Sequence, residues 1–317
     1  MEQTLRAEGV SAPRYPRARR WWWQSPRSRR QALAAYICLS PWLLGFLIFV
    51  AYPIGATLFY SLNKYPILGD LTWVGLKNYS VLLHDPLFWQ SLRVTTIFSL
   101  VAVPGSIALG YAIALLLNQK VRWVGVWRTL YFLPSIVPAI ATAYLWSWML
   151  NPQYGLVNAG LFTLHLPQPE WFGSPTWVLP AFIFMTLWGS GGNLVLYLAA
   201  LQQVPTALYE AAHIDGASAW NRFVHITVPM TSPVLLFTFL TGVINSFQIF
   251  TAAYVITRGG PDNASLFYIV YLFRNGWQYF QMGYASALAY VLLVMMLVLT
   301  AITLRVSRRF VYYDYSD

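Results

Sequence analysis

Residues 282–304 read MGYASALAYVLLVMMLVLTAITL, a run without a single Asp, Glu, Lys, Arg or His. A helix of about 20 such residues crosses a hydrocarbon core of roughly 30 Å, and in that medium it must satisfy its backbone internally. Comparable runs recur near 33–62, 94–117, 129–150, 177–203 and 231–257. Hydrophobic residues make up 58% of the 317 and charged residues 9%, far from the usual soluble domain, where about a quarter are charged. The sequence therefore predicts an all-α, polytopic integral membrane protein with six transmembrane helices. The first and fourth runs are long enough to tilt or kink.

None of the six runs contains Asp, Glu, Lys, Arg or His. Proton relays, voltage sensors and carboxylate-based ion-coupled carriers keep such groups within the membrane despite a cost of about 2.5–3.5 kcal/mol each on insertion scales. Their absence points to an energy source outside this chain. A passive anchor would need only one or two spans.

Lys and Arg are unevenly placed. Eight Arg lie in the first 32 residues, Lys120, Arg122 and Arg128 follow the second run, and Arg305, Arg308 and Arg309 follow the last. By the positive-inside rule both termini and the 118–128 turn are cytoplasmic. The 151–176 loop, which has Glu170 but no Lys or Arg, then faces outward, and residues 204–230 return to the cytoplasm. Against the rule, that last loop carries only Arg222, whereas Lys64, Lys77, Arg93, Arg258 and Arg274 fall outside.

The net charge of +10 does not imply a nucleic-acid partner, because it concentrates at the ends of spans. The N-terminal PRYPRARRWWWQSPRSRR (13–30) interleaves Arg with three Trp, which suits anionic headgroups; a positive-inside tail explains it equally well. SRRQAL (28–33) has a twin-Arg flavour, but the long apolar run after it and the lack of a small-residue cleavage site indicate a retained first helix. Cys38 lies in that helix, where packing is its expected role. G-x-x-x-x-G-K-[ST], H-E-x-x-H and C-x-x-C are all missing, so the chain carries no phosphate loop or common zinc motif and is not expected to be an enzyme. GSGGN (189–193) sits inside an apolar run rather than between a strand and a helix, which signals a helix irregularity or a close helix contact.

One passage breaks the apolar pattern: EAAHIDGASAWNRFVHITVP, residues 210–229. Pro205 suits a first helical turn, the residues up to Asp215 favour helix, and Gly216 can end it. A further turn or two through ASAWNRFVHI leads toward Pro229 and the next span. Ala211 and Ala212 are small enough to admit another surface closely, and Glu210 offers a charge to anchor it. The same residues are compatible with an amphipathic loop resting on the bilayer.

These residues also carry a resemblance. Glu210-Ala211-Ala212, three residues, Gly216, nine residues, then Ile226 and Pro229 match the E-A-A, G, I-x-L-P pattern of binding-protein-dependent ABC importer permeases; Asp215 and Ala217 add to the match, and Val228 replaces the usual Leu. AYPIGATLFYSL (51–62), WVGLKNYSVLLHDPLFWQSL (73–92), WRTLYFLPSIVPAIATAYLWSWML (127–150), GGPDNAS (259–265) and YFQMGYASALA (279–289) resemble the sugar-permease branch, the maltose and glycerol-phosphate type with a MetI-like transmembrane domain. The likeness spans essentially residues 31–310, and it frames the chain as a basic tail (1–30), a six-helix permease domain (31–310) with a coupling loop (204–230), and a short tail (311–317).

The resemblance implies a permease subunit working with a second, related permease, a homodimeric cytoplasmic ABC ATPase and an extracytoplasmic solute-binding protein. ATP and Mg would then reside on the ATPase, and this chain would bind no cofactor or metal. Glu210, Ala211, Ala212, Asp215 and Gly216 would form the joint with the ATPase. Moving a two-state equilibrium from 1:99 to 99:1 takes about 5.5 kcal/mol, which ATP supplies and this chain alone does not. For the substrate path, the uncharged Trp188, Asn193, Tyr197, Asn245, Gln248 and Tyr254 offer hydrogen bonds and stacking faces suited to a neutral carbohydrate, or simply join neighbouring helices. The rival readings are a self-sufficient secondary carrier or channel, and a membrane sensor with a docking loop.

Overall fold

A computed structural model of the chain describes residues 26–66, 69–119, 122–308 and 311. The basic Trp-rich tail up to residue 25 and the last six residues lie outside the described residues, as does Lys120. Two compact units divide at residues 56 and 57. The first contains helix α1 (Pro26–Phe46) and a π-helical turn, Leu47–Ala51, leading into α2 (Tyr52–Ser61), which runs across the boundary. The apolar stretch Arg30–Ser61 is long enough to cross a membrane. Cys38 is exposed on the surface of this helix.

The second unit opens with a short antiparallel hairpin, β1 (Asn63–Lys64) and β2 (Thr72–Trp73), then α3 (Lys77–His84) and α4 (Pro86–Leu117). Asp85 caps α4 by accepting a 2.9 Å hydrogen bond from the Leu87 amide, and Pro86 occupies the first turn, where a missing N–H costs nothing. The second span thus begins eight residues before the predicted Val94 and takes in Arg93 near its start.

The third predicted span, 129–150, is not one helix. Helix α5 (Val124–Phe132) passes through a 3-10 turn, Leu133–Ile136, and resumes as α6 (Ala139–Met149) after a bend of 99°. Pro134 and Pro138 are the cause: neither can donate a backbone hydrogen bond, and each ring crowds the preceding turn. After α7 (Leu156–Thr163), the chain forms α8 (Val178–Trp188), a 3-10 turn at Gly189–Asn193, and α9 (Leu194–Gln203). The two 3-10 turns lie against each other. A Cβ built on Gly191 would stand 1.8 Å from the Tyr131 carbonyl oxygen, so only glycine permits this approach.

The remaining elements are α10 (Thr206–Ile214), α11 (Ala219–Arg222), α12 (Val228–Phe247), α13 (Thr251–Ile256), α14 (Tyr268–Phe273) and α15 (Met282–Ser307). Two π-helical turns intervene, Phe223–Thr227 before α12 and Arg274–Gln278 after α14. Among the described residues five helical runs are long and apolar enough to span a membrane, and the bent pair α5–α6 makes six.

Helices α4 and α12 form an antiparallel centre, tied by Tyr111 Oη to Thr231 Oγ1 (2.7 Å) near one end and Ser246 Oγ to Ser99 Oγ (2.7 Å) nearer the other. Such bonds between membrane helices contribute about 0.6–2 kcal/mol each. Phe98, Phe182 and Phe267 interlock edge to face at 5.2 and 5.4 Å in the core. At the end opposite α10, Asp85 accepts hydrogen bonds from Tyr271 and from Tyr284 (2.8 Å), pinning α14 and α15 to the start of α4. Burial opposes ionisation of Asp85, but the bonds from Tyr271, Tyr284 and the Leu87 and Phe88 backbone outweigh it and hold the carboxyl below its ordinary value. Burial, with the bond to Asp85, pushes the Tyr271 phenol up to about 12. The depressed carboxylate stabilises the fold above the ordinary value of 3.8, and that contribution is lost as pH falls through the lowered one.

Overpacking a filled site costs typically about 1–3 kcal/mol. Gly191→Ala is therefore expected to lower the thermal midpoint of the protein in detergent by several degrees or to prevent its recovery. Gly192→Ala, whose Cβ meets nothing closer than the Ser135 Cβ at 3.4 Å, should be tolerated. Equal midpoints for the two variants would contradict this packing.

Candidate functional site

Two features stand out, a projecting helical elbow at one end of the second unit and a polar cleft within it. The elbow is α10, a tight turn and α11. Pro205 stands as the N-cap residue, one position before the helix begins. Helix α10 closes with the Ala217 amide donating to the Ala212 carbonyl (2.9 Å) and the Gly216 amide to the His213 carbonyl (3.1 Å), the paired pattern of a helix C-terminus capped by a left-handed residue. Gly216 is that residue, with φ of +73°. Ser218 then caps α11 by accepting from the Asn221 amide at 3.2 Å. Tyr209 Oη meets Thr227 Oγ1 at 2.9 Å and closes the elbow at its base.

The five residues assigned to the joint are brought together within this one helix and its cap. Glu210, Ala211, Asp215 and Gly216 are exposed and Ala212 is half-buried. Four residues after Glu210, on the same helical face, Ile214 is 86% exposed, and across the turn Trp220 is 70% exposed. A carboxylate, small residues and two bare apolar side chains make a surface shaped to be covered. The sequence reading missed Ile214 and Trp220, although the four-residue spacing from Glu210 was there to be read.

The elbow is joined mechanically to the centre of the molecule. Helix α11 runs through the π-helical turn directly into α12 without a break, so the expected start of the fifth span at residue 231 is corrected to a helical run beginning at Ala219. Pro229 causes no interruption, since it falls in the first turn of α12. At its far end α12 stops at Phe247, and the apolar helical run continues through α13 to Ile256, beside the predicted end at 257.

There α12 faces a cleft of about 270 Å³ between α4, α12 and the Gly189–Asn193 turn. Asn193, Asn245, Thr186, Ser190, Thr238 and Ser246 supply its polar wall, and no ionisable residue lines it. Ser106 adds a buried hydroxyl with no hydrogen-bond partner among the described residues. Of the six residues assigned to a substrate path, the structure brings Asn193 and Asn245 together here. Trp188 lines a separate cleft of about 390 Å³ with Trp127, Tyr131 and Pro134. Tyr197 is 1% exposed and packs edge to face on Tyr111 at 5.7 Å, its hydroxyl directed at Thr238 and Asn193 behind the cleft wall. Gln248 is exposed just past α12, and Tyr254 stacks on Phe250 in α13.

An antiparallel helical bundle with a broken third span, an exposed helical elbow and an uncharged central cleft defines a membrane permease subunit. Residues 106–312 match the family model of the binding-protein-dependent transport system inner membrane component, and the chain belongs to that family. It is therefore an inner-membrane, multi-pass protein. It is similar to the probable ABC transporter permease protein YesP of Bacillus subtilis, 37% identical over 90% of this chain and 94% of that one. The trehalose/maltose transport system permease protein MalF of Thermococcus litoralis is 35% identical, covering 88% and 95%. Among solved structures, a bacterial alginate ABC transporter in complex with an alginate pentasaccharide-bound periplasmic protein superposes with a TM-score of 0.79 over 89% of this chain and 96% of that one, at 22% identity. At that identity the likeness speaks for the fold.

A left-handed backbone costs a non-glycine residue roughly 1–2 kcal/mol. Gly216→Ala is expected to speed amide hydrogen exchange across 206–222 several-fold while leaving α4 and α15 unchanged. Unaltered exchange in the elbow would show that the Gly216 turn is not what holds it.

Proposed function

We propose that this chain is the membrane-spanning half of an ATP-driven importer for a neutral carbohydrate, paired with a second, related permease. The observation that carries the reading is the helical run that starts at Ala219 in the exposed elbow, just past the Gly216 turn that holds α10, and reaches the cleft without a break. A push on Glu210, Ala211 and Ile214 is delivered through α11 and the π-helical turn to α12, whose Asn245 and Ser246 line the cleft.

Glu210, Ala211, Ala212, Asp215 and Gly216 form the joint with a homodimeric cytoplasmic ATPase, which binds ATP and Mg; this chain contributes motion and a pathway. Arg122, Arg128 and Arg222 lie at the elbow end, which supports placing that end, and with it the two termini, in the cytoplasm. The opposite end then receives solute from an extracytoplasmic binding protein. Asn193 and Asn245 offer amide hydrogen bonds to hydroxyl groups, and the lack of charge in the cleft favours a neutral solute. Relatives named for trehalose and maltose and for lactose transport support a carbohydrate. Trp188, Tyr197, Gln248 and Tyr254 stand off the cleft and serve packing or neighbouring surfaces.

The test is co-purification from membranes. Wild-type chain is expected to bring down an ABC ATPase and a second permease, and Glu210→Lys to lose the ATPase at least tenfold while keeping the permease. A wild-type complex that keeps the second permease but contains no ATPase would overturn the reading.

A further inference from the structure

At the end of the molecule opposite the elbow, four aromatic rings from two separate segments form a ladder. Phe250 and Tyr254 of α13 stack at 5.1 Å with 16° between their planes. Phe273 of α14 meets both rings at 5.0 Å. Trp277, in the π-helical turn after α14, lies nearly parallel to Phe273, 5.5 Å away and tilted by 10°. Trp277 is 55% exposed, so the ladder ends in an open indole.

We propose that this ladder is a sugar-stacking platform at the outer mouth, with Trp277 as its receiving face. The reading rests on the carbohydrate assignment made above and adds a second contact point for the solute. Three features carry it. First, the rings are accompanied by uncharged hydrogen-bonding groups: exposed Gln278 donates through Nε2 to Tyr254 Oη at 3.3 Å. A flat apolar face bordered by amides and phenols matches a pyranose, which presents C–H groups on one face and hydroxyls at its rim.

Second, the nearby cation is turned away. Arg274 donates to the Arg258 carbonyl and, at 3.3 Å, to Asn263 Oδ1. Third, the ladder leads to the cleft, since Ile249, the residue before Phe250, lines it beside Asn245. This set is packed ring on ring and terminates beside a polar pathway.

The experiment uses the complete importer in lipid nanodiscs without its solute-binding protein, probed with maltose, trehalose, lactose and raffinose by saturation-transfer NMR. ATP-driven uptake of the same sugars is measured in parallel with the binding protein present. Wild type is expected to transfer magnetisation to the ring C–H protons of an imported sugar. Trp277→Ala should weaken that binding roughly tenfold, the scale of one lost aromatic contact, and Trp277→Tyr should restore most of it. Unchanged transfer in Trp277→Ala, or none in a wild type that imports a sugar, overturns the platform and leaves the carbohydrate assignment standing. A wild type that imports none of the four removes both. If a cysteine at position 277 cross-links to the second permease throughout the ATP cycle, the face is a subunit contact and the platform is overturned.

Discussion

Hydrocarbon offers no partner to a backbone N–H or C=O, so every break in a membrane helix must be covered by protein. This chain breaks two neighbouring spans and sets the breaks against each other. The Leu133–Ile136 turn, forced by prolines, rests on the Gly189–Asn193 turn, and Gly191 allows the Tyr131 carbonyl to come close. The arrangement leaves polar side chains of the second turn free to line the central cleft. Irregular backbone of these two spans is thus placed beside the central cleft, where protein covers it.

The rest of the unit is organised around α4 and α12, which are joined by hydroxyl pairs and flanked by an aromatic core. Because α12 is continuous through the π-helical turn with α11, one arm of the elbow, the elbow and the cleft share one helical run. Coupling of this kind requires two global arrangements that a partner can distinguish, and a continuous helix is a physical means of biasing both at once.

Much of this was legible in the sequence. The apolar runs placed the spans, and the Glu210–Pro229 spacing located the elbow with its Gly216 cap. What escaped depended on contacts between distant segments. The 99° bend had a local signal in Pro134 and Pro138, yet an apolar run of the right length hid it. Tyr197 reads as polar within a span but spends its ring on Tyr111. The aromatic ladder unites residues 250 and 277, and no periodicity within either segment points to the other.

The central claim is that the elbow receives energy from ATP and spends it on solute movement. Its most direct test is transport by the complete complex in proteoliposomes, with ATP confined to the side that the 205–229 loop faces and ionophores present to collapse ion gradients. The account predicts accumulation of sugar only when ATP is on that side, undiminished by the ionophores. Accumulation driven by a proton or sodium gradient in the absence of ATP would contradict it.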